Sequence, residues 1–367
     1  MSRLRALILA GGFGTRLRPL SCTLPKIMFP VAGRPMIELV LSNLYSNGVD
    51  EAVLAIGYMA DVIRRHLGRR FEGMRLHYSL EETPMGTGGA VKKAERFLRD
   101  GDFFVLNSDI IASPPLQEIL SSHVVKDAAA TIMLHRVKDP THFGVAKIDR
   151  SLRIERFVEK PRRGDAPSRW INAGVYVLDP EVFDYLPPGR KASIEREVFP
   201  KLASSRRLYG YRYNGEWFDI GRFEEYKRAN RAALSRLSRN EPSVGSDVRV
   251  HADARLVPPL RLGPRSRVGA GATLGPYSSV GESVVVGEGS KVSGSILFSR
   301  VHVGKNSHIR NAVVGEGAVV GENVRIWDGC VIGDKVYIHD GVRLVHDVTV
   351  CPHKEVTRSI TCPGVVT

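Results

Sequence analysis

The chain has 367 residues, 53 Lys+Arg against 39 Asp+Glu, and a formal net charge of +14 at pH 7. That length exceeds one ordinary hydrophobic core and predicts two domains. A hydrophobic content of 43% with 25% charged residues is that of a soluble globular protein, and no run of about 18 apolar residues exists to make a helical membrane span. The positive charge is spread along the chain, without a Lys/Arg tract or interleaved aromatics. This argues against nucleic acid as a partner and fits either a basic phosphate cleft or a generally basic surface. The four cysteines, Cys22, Cys330, Cys351 and Cys362, form no CxxC pair and no disulfide framework, so a reducing cytoplasm is expected.

In chain order, the first apolar run is Ala6–Ala10 of LRALILAGG. It is too short for a signal peptide and runs into glycines and arginines, so it reads as a first strand. Further strands are expected at Ala52–Ile56, Phe103–Leu106, Ala130–Leu134 and Gly174–Leu178, and helices at Pro35–Ser46, Ala60–Leu67, Thr87–Leu98 and Arg222–Ser235. Strand–helix alternation predicts an α/β domain over residues 1–238, with a Rossmann-like, mostly parallel sheet and helices on both faces. Ligands then belong beyond the C-terminal strand ends.

That position is occupied by Gly11, Gly12, Gly14, Thr15 and Arg16. A dinucleotide fingerprint would need a third glycine where Leu17 stands, and no GxxxxGK[ST] string occurs. The pattern suits a different phosphate loop. Glycine lets backbone N–H groups approach a triphosphate, Arg16 offers a planar fork, and Lys26 after Pro25 adds a point charge.

After Ser238 the pattern changes. NEPSVGSD (240–247) reads as a linker or first turn. Aliphatic residues then recur every six positions: Leu262, Val268, Leu274, Val280, Val286 and Val292. The register slips by one to Leu297, Val303 and Ile309, and again to Val314, Val320, Ile326, Ile332, Ile338, Leu344 and Val350. Period six is the hexapeptide signature of a β-helix, in which three short flat sides close a triangular coil. Residues 239–367 are therefore expected to form such a domain, serving assembly or regulation.

The opening stretch LAGGFGTRLRPLSCTLPKIMFPVAGRPMIE resembles the signature of the sugar-1-phosphate nucleotidylyltransferases, the nucleotide-sugar pyrophosphorylases. The likeness continues through EETPMGTGGA, LNSD, FGVAKID, RFVEKP, INAGVYVL, SIEREVFP, EWFDIG and the hexapeptide tail. Within that family the chain looks most similar to mannose-1-phosphate guanylyltransferases of the β-subunit type, whose tail is a left-handed β-helix. The resemblance implies transfer of a nucleotidyl group from an NTP to a sugar 1-phosphate, with Mg²⁺ as cofactor. It implies nucleotide contacts from Leu9, Ala10, Gly11, Gly12, Gly14, Thr15, Arg16, Lys26, Glu81, Gly86 and Asp109. It implies sugar-phosphate contacts from Gly144, Glu159, Lys160 and Asn172, and metal ligation by Asp109 and Asp219. Arg16, Lys26, Asp109, Lys160 and Asp219 are the implied catalytic set.

The chemistry agrees with those residue types. A phosphate monoester has a second pKa of about 6 and is already ionised at pH 7, so no general base is needed. Catalysis then rests on positioning and on neutralising charge between two anions. A carboxylate at Glu81 can accept from N1–H and N2–H₂ of guanine but would meet carbonyl acceptors on uracil or thymine, which favours GTP. The competing expectations are UTP or dTTP with glucose or heptose 1-phosphate, and a non-catalytic nucleotide-sugar sensor, which would be expected to lack phosphate cations or metal carboxylates. A second, acyl-transfer site would need a base such as His302, His308 or His339. Ordinary positions on a flat face or turn are expected for all three. No membrane partner is expected; homo-oligomers through the repeat are.

Overall fold

The computed structural model describes residues 3–367. The chain forms two compact units, Met1–Phe13 with Ile37–Asp219, and Gly14–Met36 with Ile220–Thr367. Packing thus groups residues 14–36 and 220–238 with the repeat, a different division from the segments 1–238 and 239–367.

The first unit is built on one mixed sheet. Its strands are β1 (Arg5–Ala10), β2 (Glu51–Ile56), β3 (Met74–Leu80), β4 (Phe103–Asn107), β6 (Ala130–Arg136), β7 (Gly144–Ile148), β8 (Ile154–Glu159), β9 (Trp170–Leu178) and β10 (Leu208–Arg212). A separate ribbon pairs β5 (Ile110–Ala112) with β11 (Trp217–Asp219). The main order is β8-β7-β9-β4-β1-β2-β3, with β6 joined to β9 and β10. The β1–β2, β1–β4 and β2–β3 pairs are parallel, whereas β9 runs antiparallel to β4. Ala6, Leu7 and Ile8 are fully buried in β1, which has a parallel neighbour on each side. Aromatic side chains close the core: Phe103 stacks on Phe183 at 5.3 Å, and Phe199 meets Phe157 and Tyr176 edge-on.

The expected strands are all present, and Gly174–Leu178 extends back to Trp170. Strands β3, β7, β8, β10 and β11 lacked a clear apolar run: β3 and β8 alternate with charged residues and β11 has three residues. The helix expected at Thr87–Leu98 is α-helical over Gly86–Ala94 and tightens to a 3₁₀ turn over Glu95–Phe97. The SIEREV segment folds as a π-helical turn, Ile194–Val198, capped by Ser193.

In the second unit the segment 14–36 makes three 3₁₀ turns, Thr15–Leu17, Leu20–Cys22 and Lys26–Met28. It packs on the helix Phe223–Leu237 and on the repeat. Phe29 lies edge-on to Tyr226 (5.7 Å) and Phe298 (5.6 Å). The Tyr226 hydroxyl donates to Pro30 O at 2.6 Å, and Ala32 N–H donates to Asn230 Oδ1 at 2.9 Å.

The repeat is a three-sided parallel β-helix, its sides forming three parallel sheets. Residues 18 apart pair between successive coils, as in Leu262↔Val280 and Val268↔Val286. Every aliphatic residue of the period-six series is buried, at most 4% exposed, and each stacks on its counterpart one coil away. The two slips fall at one corner of successive coils, at Gly294 and Asn311, where Val280 pairs with Leu297 and Leu297 with Val314, 17 residues apart instead of 18. The 240–247 stretch starts the first coil, since Ser243–Val244 pairs with Leu260–Leu262. His302 and His308 stand on different faces, and His339 pairs with Glu355, so the three histidines are not gathered into one site.

Candidate active site

Parallel pairing brings the C-terminal ends of four strands of the first unit together. Leu9, half-buried, and Ala10 end β1, and Ser108 N–H donates to Leu9 O at 3.2 Å beyond β4. On the other side Glu81 N–H donates to Ile56 O at 2.7 Å. This fixes Glu81, just past β3, against the β1 end: an added Cβ at Gly11 would stand 3.2 Å from Glu81 Oε1. The other oxygen, Oε2, accepts from Met85 N–H at 3.1 Å. Burial raises the Glu81 carboxyl above the ordinary range, against the lowering effects of that N–H and of Lys93. An added Cβ at Gly12 would meet nothing within 4 Å, and Phe13 leans on Tyr58 at 5.5 Å. Gly12 thus leaves main chain uncovered by side chains, open to a close-approaching anion, whereas Gly11 gives room to the Glu81 carboxylate. Gly86 starts the helix Gly86–Ala94 with φ +70°, and an added Cβ there would stand 2.5 Å from Ala192 O.

Asp109 and Asp219 are 110 residues apart in sequence. The β5–β11 ribbon places Asp219 opposite Ile110, the residue after Asp109. Trp217 anchors that ribbon by donating its indole N–H to Ala173 O at 3.0 Å. Both aspartates are half-buried. Two carboxylates one ladder position apart are hard oxygen donors of the kind Mg²⁺ takes, leaving further positions to water and phosphate oxygens. No larger cluster of His, Cys, Asp and Glu suited to a metal occurs among the described residues.

A third set lies around β8. Gly144 makes room for Glu159, since an added Cβ would stand 2.8 Å from Glu159 Oε2. Burial and the nearby Glu195 raise the Glu159 carboxyl, with Lys160 and Arg196 opposing. Lys160 has φ +50°, an unusual conformation before a proline, and its N–H donates to Phe143 O at 3.0 Å. Its ammonium lies 3.7 Å from Glu159 Oε1 and is 60% exposed, so it can swing to an anion. Asn172 sits at an irregularity of β9, its Oδ1 accepting from Gly174 N–H and its Nδ2 donating to the Tyr176 hydroxyl, both at 2.9 Å.

Sequence reasoning did not single out Glu195, Thr87 or Tyr176. Glu195 Oε2 accepts from the hydroxyls of Thr87 and Ser193, each at 2.6 Å. The signal was the SIEREV string, whose Ser193 N–H donates to Glu197 Oε1 at 3.0 Å as a cap would.

In the second unit Gly14 adopts the left-handed conformation (φ 62°, ψ 29°) that turns the chain after the glycines. An added Cβ there would stand 3.1 Å from Lys26 Cβ, so the Lys26 stem packs directly on this turn. Ser21 Oγ donates to Gly14 O at 2.8 Å and closes the loop. Thr15 and Arg16 form the exposed 3₁₀ turn, and the Arg16 guanidinium lies over Gly221, where a Cβ would stand 3.3 Å from Nη1. The structure thus groups Leu9–Gly12 with Glu81, Gly144 with Glu159 and Lys160, and Gly14–Arg16 with Lys26, and brings the main chains at Asp109 and Asp219 one ladder position apart.

A strand end running into glycines, two 3₁₀ turns each bearing a cation, and a ribbon ending beside two aspartates suit a phosphate-handling transferase. The profile of the nucleotidyl transferase family matches residues 5–236 and that of the GMPPB C-terminal domain matches residues 256–366. The chain belongs to the nucleotidyl transferase family. Over its whole length it is similar to mannose-1-phosphate guanylyltransferase 1 of Arabidopsis thaliana, 35% identical over 370 residues, covering 99% of this chain and 100% of that protein. The mannose-1-phosphate guanyltransferase of Candida albicans matches to the same extent. Among solved structures, HddC from Yersinia pseudotuberculosis complexed with GMP-PN superposes with a TM-score of 0.53 at 28% identity, covering 62% of this chain and 97% of that one.

Proposed function

We propose that this chain transfers a guanylyl group from GTP to mannose 1-phosphate, giving GDP-mannose and pyrophosphate. The observation that carries this reading is the Glu81 carboxylate pressed against Gly11 at the end of β1, an acceptor for guanine beside the glycine turn. The full-length likeness to mannose-1-phosphate guanylyltransferases supports the same substrate pair.

In this account the main chain of Leu9 to Gly12, with Gly14 and Thr15, cradles the nucleotide, and Gly86 shapes the base side. Arg16 and Lys26 neutralise the triphosphate and the departing pyrophosphate. Asp109 and Asp219 would hold Mg²⁺, which supplies charge neutralisation on the phosphate oxygens when bound. Glu159, Asn172 and the space at Gly144 orient the sugar hydroxyls, and Lys160 takes the sugar phosphate. An oxygen of that phosphate attacks the α-phosphorus in line. The new P–O bond forms as the bond to the β-phosphate bridging oxygen breaks, and pyrophosphate leaves with the electron pair. No proton need be abstracted at pH 7, because a phosphate monoester is then largely dianionic, its second pKa being about 6.

We place the protein in the cytoplasm as a homo-oligomer associating through the repeat; four cysteines, none of them in a disulfide, fit the first point.

Pyrophosphate release, measured for four NTPs against mannose, glucose and heptose 1-phosphates with Mg²⁺, tests the reading. GTP with mannose 1-phosphate should give the highest kcat/KM, and a clear preference for UTP or dTTP, or no turnover with any pair, would reject it. Glu81→Gln should lower kcat/KM for GTP relative to UTP by at least about tenfold, the loss of one charge-assisted hydrogen bond. The pH profile offers a second check. Because burial raises the Glu81 carboxyl, it protonates on acidification before an ordinary glutamate does, losing an acceptor for guanine. The kcat/KM for GTP should therefore fall at a higher pH than an ordinary glutamate allows, and Glu81→Gln should remove that limb.

A further inference from the structure

The turns bearing Arg16 and Lys26 are tied to the β-helix by one buried carboxylate. Asp334 sits at a coil corner and is only 7% exposed. Its Oδ1 accepts from Glu316 N–H of the preceding coil at 2.7 Å, and its Oδ2 accepts from the Thr23 hydroxyl at 2.7 Å, across 311 residues of sequence. Thr23 caps the Leu20–Cys22 turn, and its hydroxyl also lies 3.1 Å from Leu20 O. The hydroxyl has one proton, and the carboxylate is the nearer and stronger acceptor. Ser21 of the same turn holds Gly14 O, and Gly14 carries the Lys26 stem. The path from Asp334 to the two cations is thus short and made of named contacts.

The repeat supplies its own comparison. Asp340, at another corner, makes the same coil-to-coil bond, Oδ1 accepting from Glu322 N–H at 2.7 Å, yet it is exposed to solvent. At earlier coils of Asp334's own corner, Arg265 pairs with Glu282 and Arg300 with Glu316, none of them buried. Joining coils therefore does not require a buried carboxylate. Burying a charge is unfavourable unless its oxygens are satisfied, and what Asp334 gains in its buried place is Thr23.

We propose that Asp334 is a positioning residue for nucleotidyl transfer: through Thr23 it holds the 14–28 turns, and with them Arg16 and Lys26, in the geometry that receives the triphosphate. This rests on the nucleotide-loop reading above. It makes the β-helix a working part of the phosphate site rather than only an assembly element.

The test uses the full chain in six forms, wild type, Thr23→Val, Thr23→Ser, Asp334→Ala, the double variant Thr23→Val/Asp334→Ala and the control Asp340→Ala. Amide hydrogen exchange without ligand should accelerate across residues 14–28 by about tenfold in Thr23→Val and Asp334→Ala, the loss of one hydrogen bond to a charged group. The β1 amides should be unchanged, as should all rates in Thr23→Ser, which keeps the hydroxyl. In steady-state assays Thr23→Val and Asp334→Ala should lower kcat/KM for GTP by about the same factor and leave KM for the sugar phosphate unchanged, and the double variant should be no worse than the worse single. Asp340→Ala should match wild type in both readouts. Unchanged exchange in Thr23→Val would show that no tether exists, whatever the reaction. Faster exchange with unchanged GTP kinetics would overturn the proposal by striking at the nucleotide-loop reading itself. An Asp340→Ala variant that reproduces Asp334→Ala would reduce Asp334 to joining coils.

Discussion

Lys26→Ala is expected to lower kcat for GTP by about 10²–10³-fold, corresponding to roughly 2.7–4 kcal/mol, the scale measured when a preorganised donor to a developing oxyanion is removed. The reason is local. Pro25 precedes Lys26, the 3₁₀ turn Lys26–Met28 fixes its backbone, and its stem is packed on Gly14. The ammonium is therefore held in place before substrate arrives and need not be ordered during the reaction. Because the side chain is only half-buried, its loss opens no sizeable cavity. The melting temperature should stay within a few degrees of wild type while kcat collapses. Lys26→Arg should recover part of the rate, since it keeps the charge but not the compact donor. Stopped-time assays of pyrophosphate release check this, and turnover within a few fold of wild type in Lys26→Ala would remove Lys26 from the chemistry.

Asp109→Asn should be more severe, abolishing Mg²⁺-dependent turnover. The substitution keeps the side-chain shape, so the β5–β11 ribbon that sets Asp219 opposite Ile110 should persist. On the proposed reading the change removes one of the two charges that would be offered to the metal, and a neutral amide is a much poorer ligand for a hard divalent cation. Titrating Mg²⁺ into the GTP-loaded protein by calorimetry gives a readout independent of turnover. Wild type should bind the ion in the presence of GTP, and Asp109→Asn should bind it at least about tenfold more weakly, the scale seen when a group supporting a metal site is lost. A variant with undiminished Mg²⁺ affinity and activity would place the metal elsewhere.

Much of this molecule is readable from the chain because the relevant signals are local or periodic. Strand β1 is an uninterrupted apolar run ending in glycines, and the period-six aliphatic series converts directly into buried rungs. Even its two slips have a counterpart in the pairing, where the step between coils shortens from 18 residues to 17 at one corner. Features made by long-range contact were not readable. The π-helical turn at Ile194–Val198 carries Glu195, which accepts from Thr87, 108 residues away in sequence. The Thr23–Asp334 bond joins residues whose own sequence neighbourhoods give no sign of each other. The border between a nucleotide domain and a repeat, plain in composition at Ser238, is not a packing border, because Phe29 sits between Tyr226 and Phe298. A period reports on the residues that obey it, not on what leans against them.

The central claim is that the phosphate of a sugar 1-phosphate attacks the α-phosphorus of GTP. It is tested most directly with mannose 1-phosphate carrying ¹⁸O in its non-bridging oxygens, incubated with GTP, Mg²⁺ and the protein and followed by ³¹P NMR. The account predicts that all the label stays in GDP-mannose, with an isotope shift on both of its phosphorus signals from the newly formed bridge, and that the pyrophosphate is unlabelled. Label in the pyrophosphate, or no GDP-mannose at all, would contradict it.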